Sequence, residues 1–237
     1  MTTQFNGFSR QGMQFLIDVR QHNSKEWFDN HRSIYDEQLL TPMRNLVTQL
    51  SQRMLLIDDG FEIRPAIGKT ISRLNRDTRY SRDKLRYRSS MWLTFKRMSK
   101  DWKDAPVYFF DMTPHGYSYG LGYYSASRQT MDLFREKIDN DPKGFLKVAA
   151  CCKAPFELHG DLYKRPLIKD QPENIANWYN RKSFAVMGTC HDVEALFSTD
   201  LVSQLERGFM NLEPLYHYLM DVERMKRERQ PQVYIEY

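Results

Sequence analysis

The sequence predicts an α+β fold, with a mainly antiparallel central sheet and helices from the N- and C-terminal parts packed on it. Three observations lead there. Apolar residues recur at helical spacing near both ends of the chain, the middle alternates with a period of two, and no regular strand–helix alternation signals a parallel sheet. With 237 residues, 41% of them hydrophobic, the chain is long enough to bury a full core. No internal repeat, low-complexity tract or Gly/Ser linker divides it. Residues 1–226 are therefore read as a single α+β domain, and 227–237 as a C-terminal tail or edge strand.

The elements follow in order. Residues 8–20 read as a short helix that offers Phe8, Met13, Phe15, Leu16 and Val19 to one face. Asn23, with Glu26 three residues on, reads as the N-cap of a second helix carrying Trp27, Phe28, Ile34 and Tyr35. Trp27 and Phe28 are expected to anchor that helix in the core. Thr41-Pro42 reads as a cap with proline at the first helical position. Leu46, Val47, Leu50 and Met54 continue that helix, and Asp58-Asp59-Gly60 ends it.

The period then changes. Residues 69–74 read as a strand with Lys69, Ile71 and Arg73 on one face, and Met91–Phe95 as another. Val107–Met112 and Tyr117–Tyr124 flank Thr113-Pro114-His115-Gly116 as a hairpin. Gly120 and Gly122 inside its second arm suggest a bulge or a close backbone approach. Helices are expected from Ser127 to Ile138 and after Asp141-Pro142. Glu157–Tyr163 reads as a tight strand pair and Arg181–Met187 as a further strand. A helical pattern runs from Ser198 to Arg227, interrupted at Glu213-Pro214.

Composition narrows the class of function. No segment approaches the roughly 20 apolar residues of a membrane span, and the first residues lack the basic start and apolar run of a signal peptide. A soluble, cytoplasmic protein is expected. Cys151, Cys152 and Cys190 are odd in number and two are adjacent, so they read as small core residues rather than disulfide partners. The phosphate loop, the dinucleotide fingerprint, the zinc-protease motif and the serine nucleophile elbow are all absent. The six histidines lack ligand spacing, so no metal is expected. The cofactor is left unknown.

One segment stands out. Between Arg64 and Lys100 the only acids are Asp77 and Asp83, and the bases there exceed the chain's whole net charge of +5. Arginine forks match carboxylate and phosphate geometry, so Lys69–Arg88 reads as an anion-facing surface or pocket. Asp77 and Asp83 would orient neighbouring bases and leave other forks free. An internal Arg–Asp network and a plain solvated surface are the competing readings. Sheet aromatics beside this segment would suit stacking of single-stranded nucleic acid, although aromatics are also favoured core residues of strands.

Certain residues carry a family resemblance. The stretch Asn23-Ser-Lys-Glu-Trp-Phe-Asp-Asn30 with Tyr35, the run Ile71-Ser-Arg73-x-x-Arg76-Asp-Thr-Arg-Tyr-Ser-Arg-Asp-Lys84 with Tyr87, and later Tyr163–Pro166 and Trp178–Ser183 resemble domain of unknown function 2461. Tyr80 stands where phenylalanine is usual, and Arg86 where many members have proline. The resemblance implies one α+β domain and no established activity.

The function expected is binding of an anionic, phosphate-bearing ligand, with Arg73, Arg76, Arg79 and Lys84 as its cations. Asp77 and Asp83 would orient them, Tyr87 would add a hydroxyl or a ring, and Arg181 and Lys182 would complete the site. An anionic small molecule or nucleotide is favoured over nucleic acid as the partner, and no membrane is implied. Two alternatives stay open. One is a metal-assisted phosphoester or nucleotide hydrolase, and the other a scaffold whose Arg–Asp network is structural. Whether any reaction follows binding is left undecided.

Overall fold

A computed structural model describes residues 4–79 and 82–229. It bears out the α+β class. Five strands form one open sheet in the order β1-β2-β3-β5-β4, made of β1 (Met91–Phe95), β2 (Pro106–Thr113), β3 (Gly116–Tyr123), β4 (Phe156–His159) and β5 (Ala185–Cys190). The β2–β3 hairpin turns at Pro114-His115 as its sequence predicts. β1 lies antiparallel to β2, with Met91 opposite Met112 and Phe95 opposite Tyr108. No helix among the described residues is long and apolar enough to cross a membrane.

The chain forms two compact units. The first comprises Met1–Met98, Tyr108–Gly120 and Gly188–Met210. It contains α1 (Arg10–His22), α2 (Lys25–Asn30), α3 (Arg32–Tyr35), α4 (Thr41–Ile57) and α8 (Asp200–Asn211). Its core follows from the two periodicities. Phe15, Leu16 and Val19 of α1 and Met43, Leu46, Val47 and Leu50 of α4 are buried, as are Leu93, Phe95, Tyr108, Phe110, Tyr117 and Tyr119 of the sheet. Phe209 of α8 meets Tyr108 edge-on at 5.3 Å. Most of the sheet aromatics are therefore core, and they leave no continuous stacking platform.

The second unit comprises Ser99–Val107, Leu121–Met187 and Asn211–Tyr237. It holds α5 (Arg128–Asn140), α6 (Pro142–Ala149), α7 (Glu173–Tyr179) and α9 (Glu213–Glu228). Phe134, Phe145, Trp178 and Phe184 cluster in its centre, with Phe134–Phe184 at 5.0 Å and Trp178–Phe184 at 5.2 Å. The buried Arg135 donates to the carbonyls of Tyr179 at 2.8 Å and Arg181 at 2.7 Å and to Asp132 at 2.7 Å. Those bonds satisfy a charge that would otherwise be costly to bury, and they hold the Trp178–Ser183 hallmark in shape.

Several local expectations are corrected. Ser24, not Asn23, caps α2, its hydroxyl accepting from the Trp27 amide at 3.1 Å. Asn23 ends α1 and is used elsewhere. Thr41 caps nothing, because a π-helical turn over Asp36–Leu40 joins α3 to α4 without a break. The widened turn accommodates Pro42, which has no amide hydrogen to offer. Trp27 is only half buried, stacked between His22 at 5.4 Å and His31 at 4.1 Å, while Phe28 is the residue that reaches the core. Residues 69–74 pair with β1 through Ser72 N–Trp92 O at 2.9 Å and Thr94 N–Thr70 O at 2.8 Å, but form only isolated bridges rather than a full strand. Glu157–Tyr163 is not a strand pair. Its first part is β4, beside β5, and Leu162 makes a single bridge to Arg181. The strand expected at 181–187 begins at Ala185. The helix α9 runs on to Glu228 and is capped by Arg229, and residues 230–237 of the expected tail lie outside the described residues.

Candidate functional site: an arginine-rich loop on a pinned base

The basic segment is a hairpin-like loop. Its base is laddered by Arg76 N–Arg86 O at 2.8 Å and Arg88 N–Leu74 O at 3.0 Å, with Asn75 bridged antiparallel to Tyr87. Asn23 clamps the returning arm, accepting from the Tyr87 amide and donating to the Tyr87 carbonyl, both at 3.0 Å. The Tyr87 ring is buried and stacks on Phe28 at 4.7 Å. Tyr87 thus ties the loop to the core of its unit. The N-terminal hallmark, Asn23 with Phe28, and the central one, ending at Tyr87, are two halves of one joint.

Above the base the two carboxylates shape the chain in the same way. Asp77 accepts from the Arg79 amide, two residues on, at 3.2 Å and takes the Arg79 fork in a two-point contact at 3.0 and 2.7 Å. Asp83 accepts from the Leu85 amide at 3.0 Å and pairs with Arg76 across the loop. These turns are the ones aspartate favours, since a short acceptor reaches the backbone two residues ahead. The hydrogen bonds from Arg79 hold the Asp77 carboxyl down at about 2. The Leu85 amide, then Arg76, hold Asp83 below the usual carboxylate range. Lys84 donates to the Thr78 carbonyl at 2.9 Å and closes the loop.

The cations therefore divide into two sets. Arg76, Arg79 and Lys84 brace the loop. Arg73, Arg82 and Arg86 are exposed, and their guanidinium groups have no hydrogen-bond or ion-pair partner among the described residues. Arg82 and Arg86 lie within the basic segment but outside the set of cations expected to contact the ligand. Only closure of the loop shows which bases the two aspartates engage. Arg181 and Lys182 belong to the second unit. There the Arg181 guanidinium donates to the carbonyls of Leu158, at 3.1 Å, and Gly160.

A second group, also missed, lies on the outer face of the first unit's sheet. Arg88 sits over the Trp92 ring at 4.3 Å, and Trp92 is directly opposite Asp111 on β2. Burial pushes the Asp111 carboxyl up to about 6, against the pull of Arg88. Just past the end of β1, burial lowers the Lys96 ammonium, which donates to the Thr94 hydroxyl at 2.9 Å. Glu62, with its side chain only 4% exposed, is held at about 2 by hydrogen bonds from Arg64. Perturbed groups gathered on one face are a common mark of functional surfaces. Alternation along β1 and β2 was the available signal, since Trp92, Thr94 and Asp111 fall opposite the core-facing residues.

Among the described residues no group of three or more His, Cys, Asp or Glu side chains could hold a metal ion.

Fold and site together define an α+β protein that displays a braced arginine loop at the edge of an antiparallel sheet. The family model described as "Conserved hypothetical protein (DUF2461)" matches residues 11–218, and the chain belongs to that family. No curated protein matches it.

Proposed function

We propose that the loop binds an anionic, phosphate-bearing ligand, with Arg73, Arg82 and Arg86 as its contacting cations. Arg76, Asp77, Arg79, Asp83 and Lys84 hold the loop in shape for them. The observation that carries this reading is the division of the cations. Both aspartates are engaged inside the loop, so the three remaining guanidinium groups face outward unneutralised. Outward guanidinium forks on a restrained backbone suit phosphate oxygens, because their planar donors are already spaced for two-point contact. The three free cysteines fit a reducing cytoplasm, where phosphate-bearing metabolites are abundant.

A scaffold role is the second reading, favoured by the internal pairing of Arg76 with Asp83 and Arg79 with Asp77. The two readings separate by experiment. The parent, an Arg82→Gln/Arg86→Gln variant and an Arg76→Gln/Arg79→Gln variant are titrated with pyrophosphate, ATP and a short single-stranded oligonucleotide. The ligand reading expects binding by the parent and a loss of about tenfold per outward arginine removed. It also expects weakening with added salt, since exposed charges are screened. A parent that binds none of the three probes would leave the loop a structural brace.

A further inference from the structure

The second unit carries a cleft of about 390 Å³ whose lining includes Tyr123, Tyr124, His159, Asp161, Lys182 and Met187. Its floor is apolar, with Tyr123 meeting Phe184 edge-on at 5.5 Å. At its rim the Tyr124 side chain leaves the residue 66% exposed, flanked by Trp102 at 5.4 Å and by the Lys103 ammonium at 5.6 Å. An exposed, supported ring beside a cavity has lost the reason aromatics are usually buried, and a ligand would restore it.

The polar side of the cleft stands on a rigid backbone. The Lys182 amide donates to the Asp161 carbonyl at 2.8 Å, and the Arg181 guanidinium donates to the Gly160 carbonyl. Neither the Asp161 carboxylate nor the Lys182 ammonium has a hydrogen-bond partner among the described residues. His159 is 3.8 Å from Glu157, beyond hydrogen-bond reach. Two cations, Lys182 and Lys103, one carboxylate and one imidazole thus surround a single exposed ring. The Trp178–Ser183 hallmark, which the basic loop does not use, supplies Lys182 to this place.

We infer that this cleft is a second ligand site, built for a single sugar ring bearing an acidic group. The C–H face of a sugar carries slight positive charge and lies well on the electron-rich face of Tyr124. Lys182 takes the acidic group, and Asp161 and His159 accept from and donate to the hydroxyls. The volume lies at the lower end of small-ligand pockets, roughly 300–1,000 Å³, which suits one ring rather than a chain. The inference is independent of the proposed role of the basic loop.

Calorimetric titration of the whole protein with glucose 6-phosphate and with glucuronate tests it. The two sugars separate phosphate from carboxylate as the preferred acid. At least one is expected to bind, with affinity falling about tenfold in Tyr124→Ala and in Lys182→Ala. Lys182→Arg should recover most of the loss. Tyr124 and Lys182 are exposed, so melting curves should match the parent. Failure of both sugars to saturate at millimolar concentration would overturn the inference. So would sugar affinity unchanged in both Tyr124→Ala and Lys182→Ala.

Discussion

Asn23 and Tyr87 lie 64 residues apart and are joined by two hydrogen bonds, the amide side chain of one reproducing a strand partner for the backbone of the other. Their joint sets where the arginine loop begins. Asn23→Ala strips both bonds from partly buried backbone groups and should cost about 1–3 kcal/mol. Chemical denaturation measures the loss. Asn23→Asp keeps the acceptor and should fall between parent and alanine variant.

Phe28 and Trp27 are adjacent but differ in depth. Phe28 is 6% exposed and lies beneath Tyr87, so Phe28→Ala should destabilise by about 3–5 kcal/mol. Trp27 is half buried between two imidazoles, and Trp27→Ala should cost clearly less. Thermal melts that rank the two the other way would refute this account of the N-terminal hallmark.

The Asp77–Arg79 pair is largely exposed, with side chains 58% and 77% accessible. Surface pairs of this kind contribute little stability. Arg79→Gln should therefore melt with the parent, while proteolysis beside Asp77 should quicken as the loop loosens.

Asp111 offers a pH test. Its carboxyl is raised by burial from the usual value near 3.8 to about 6, so the folded protein binds more protons than the unfolded chain between those values. Stability then falls as pH rises through that window. Asp111→Asn removes the buried charge. It should match the parent near pH 4 and be the more stable of the two above pH 6, as thermal melts across that range will show.

Gly122 sits where β3 passes β5. A methyl group there would lie 2.4 Å from the Ala185 Cα and 2.6 Å from the Phe184 carbonyl oxygen. Neither atom is free to move far, so Gly122→Ala should destabilise by about 1–3 kcal/mol. Denaturant midpoints decide it.

Local pattern carried much of this fold. The 3.6-residue spacing along α1 and α4, the alternation through β1 and β2 and the turn at Pro114-His115 are all legible because each depends on neighbours in sequence. Errors fell where a distant partner overrode a local preference. Asn23 looks like an N-cap, yet its side chain is drawn to Tyr87 and the cap passes to Ser24. Thr41-Pro42 looks like a helix start, but the π-helical turn before it lets the helix continue.

For the site, the sequence alone determined the charge of the segment, the presence of two aspartates within it and the family to which the chain belongs. It did not determine which cations remain available. That was decided by tertiary structure, because Asp83 pairs with Arg76 across the closed loop while Asp77 holds Arg79 beside it. It was also tertiary structure that set Asp111 beside Trp92 and raised its carboxyl by burial. Composition is a property of residues one at a time. Ion pairing and desolvation depend on distances between residues that only the folded chain brings together.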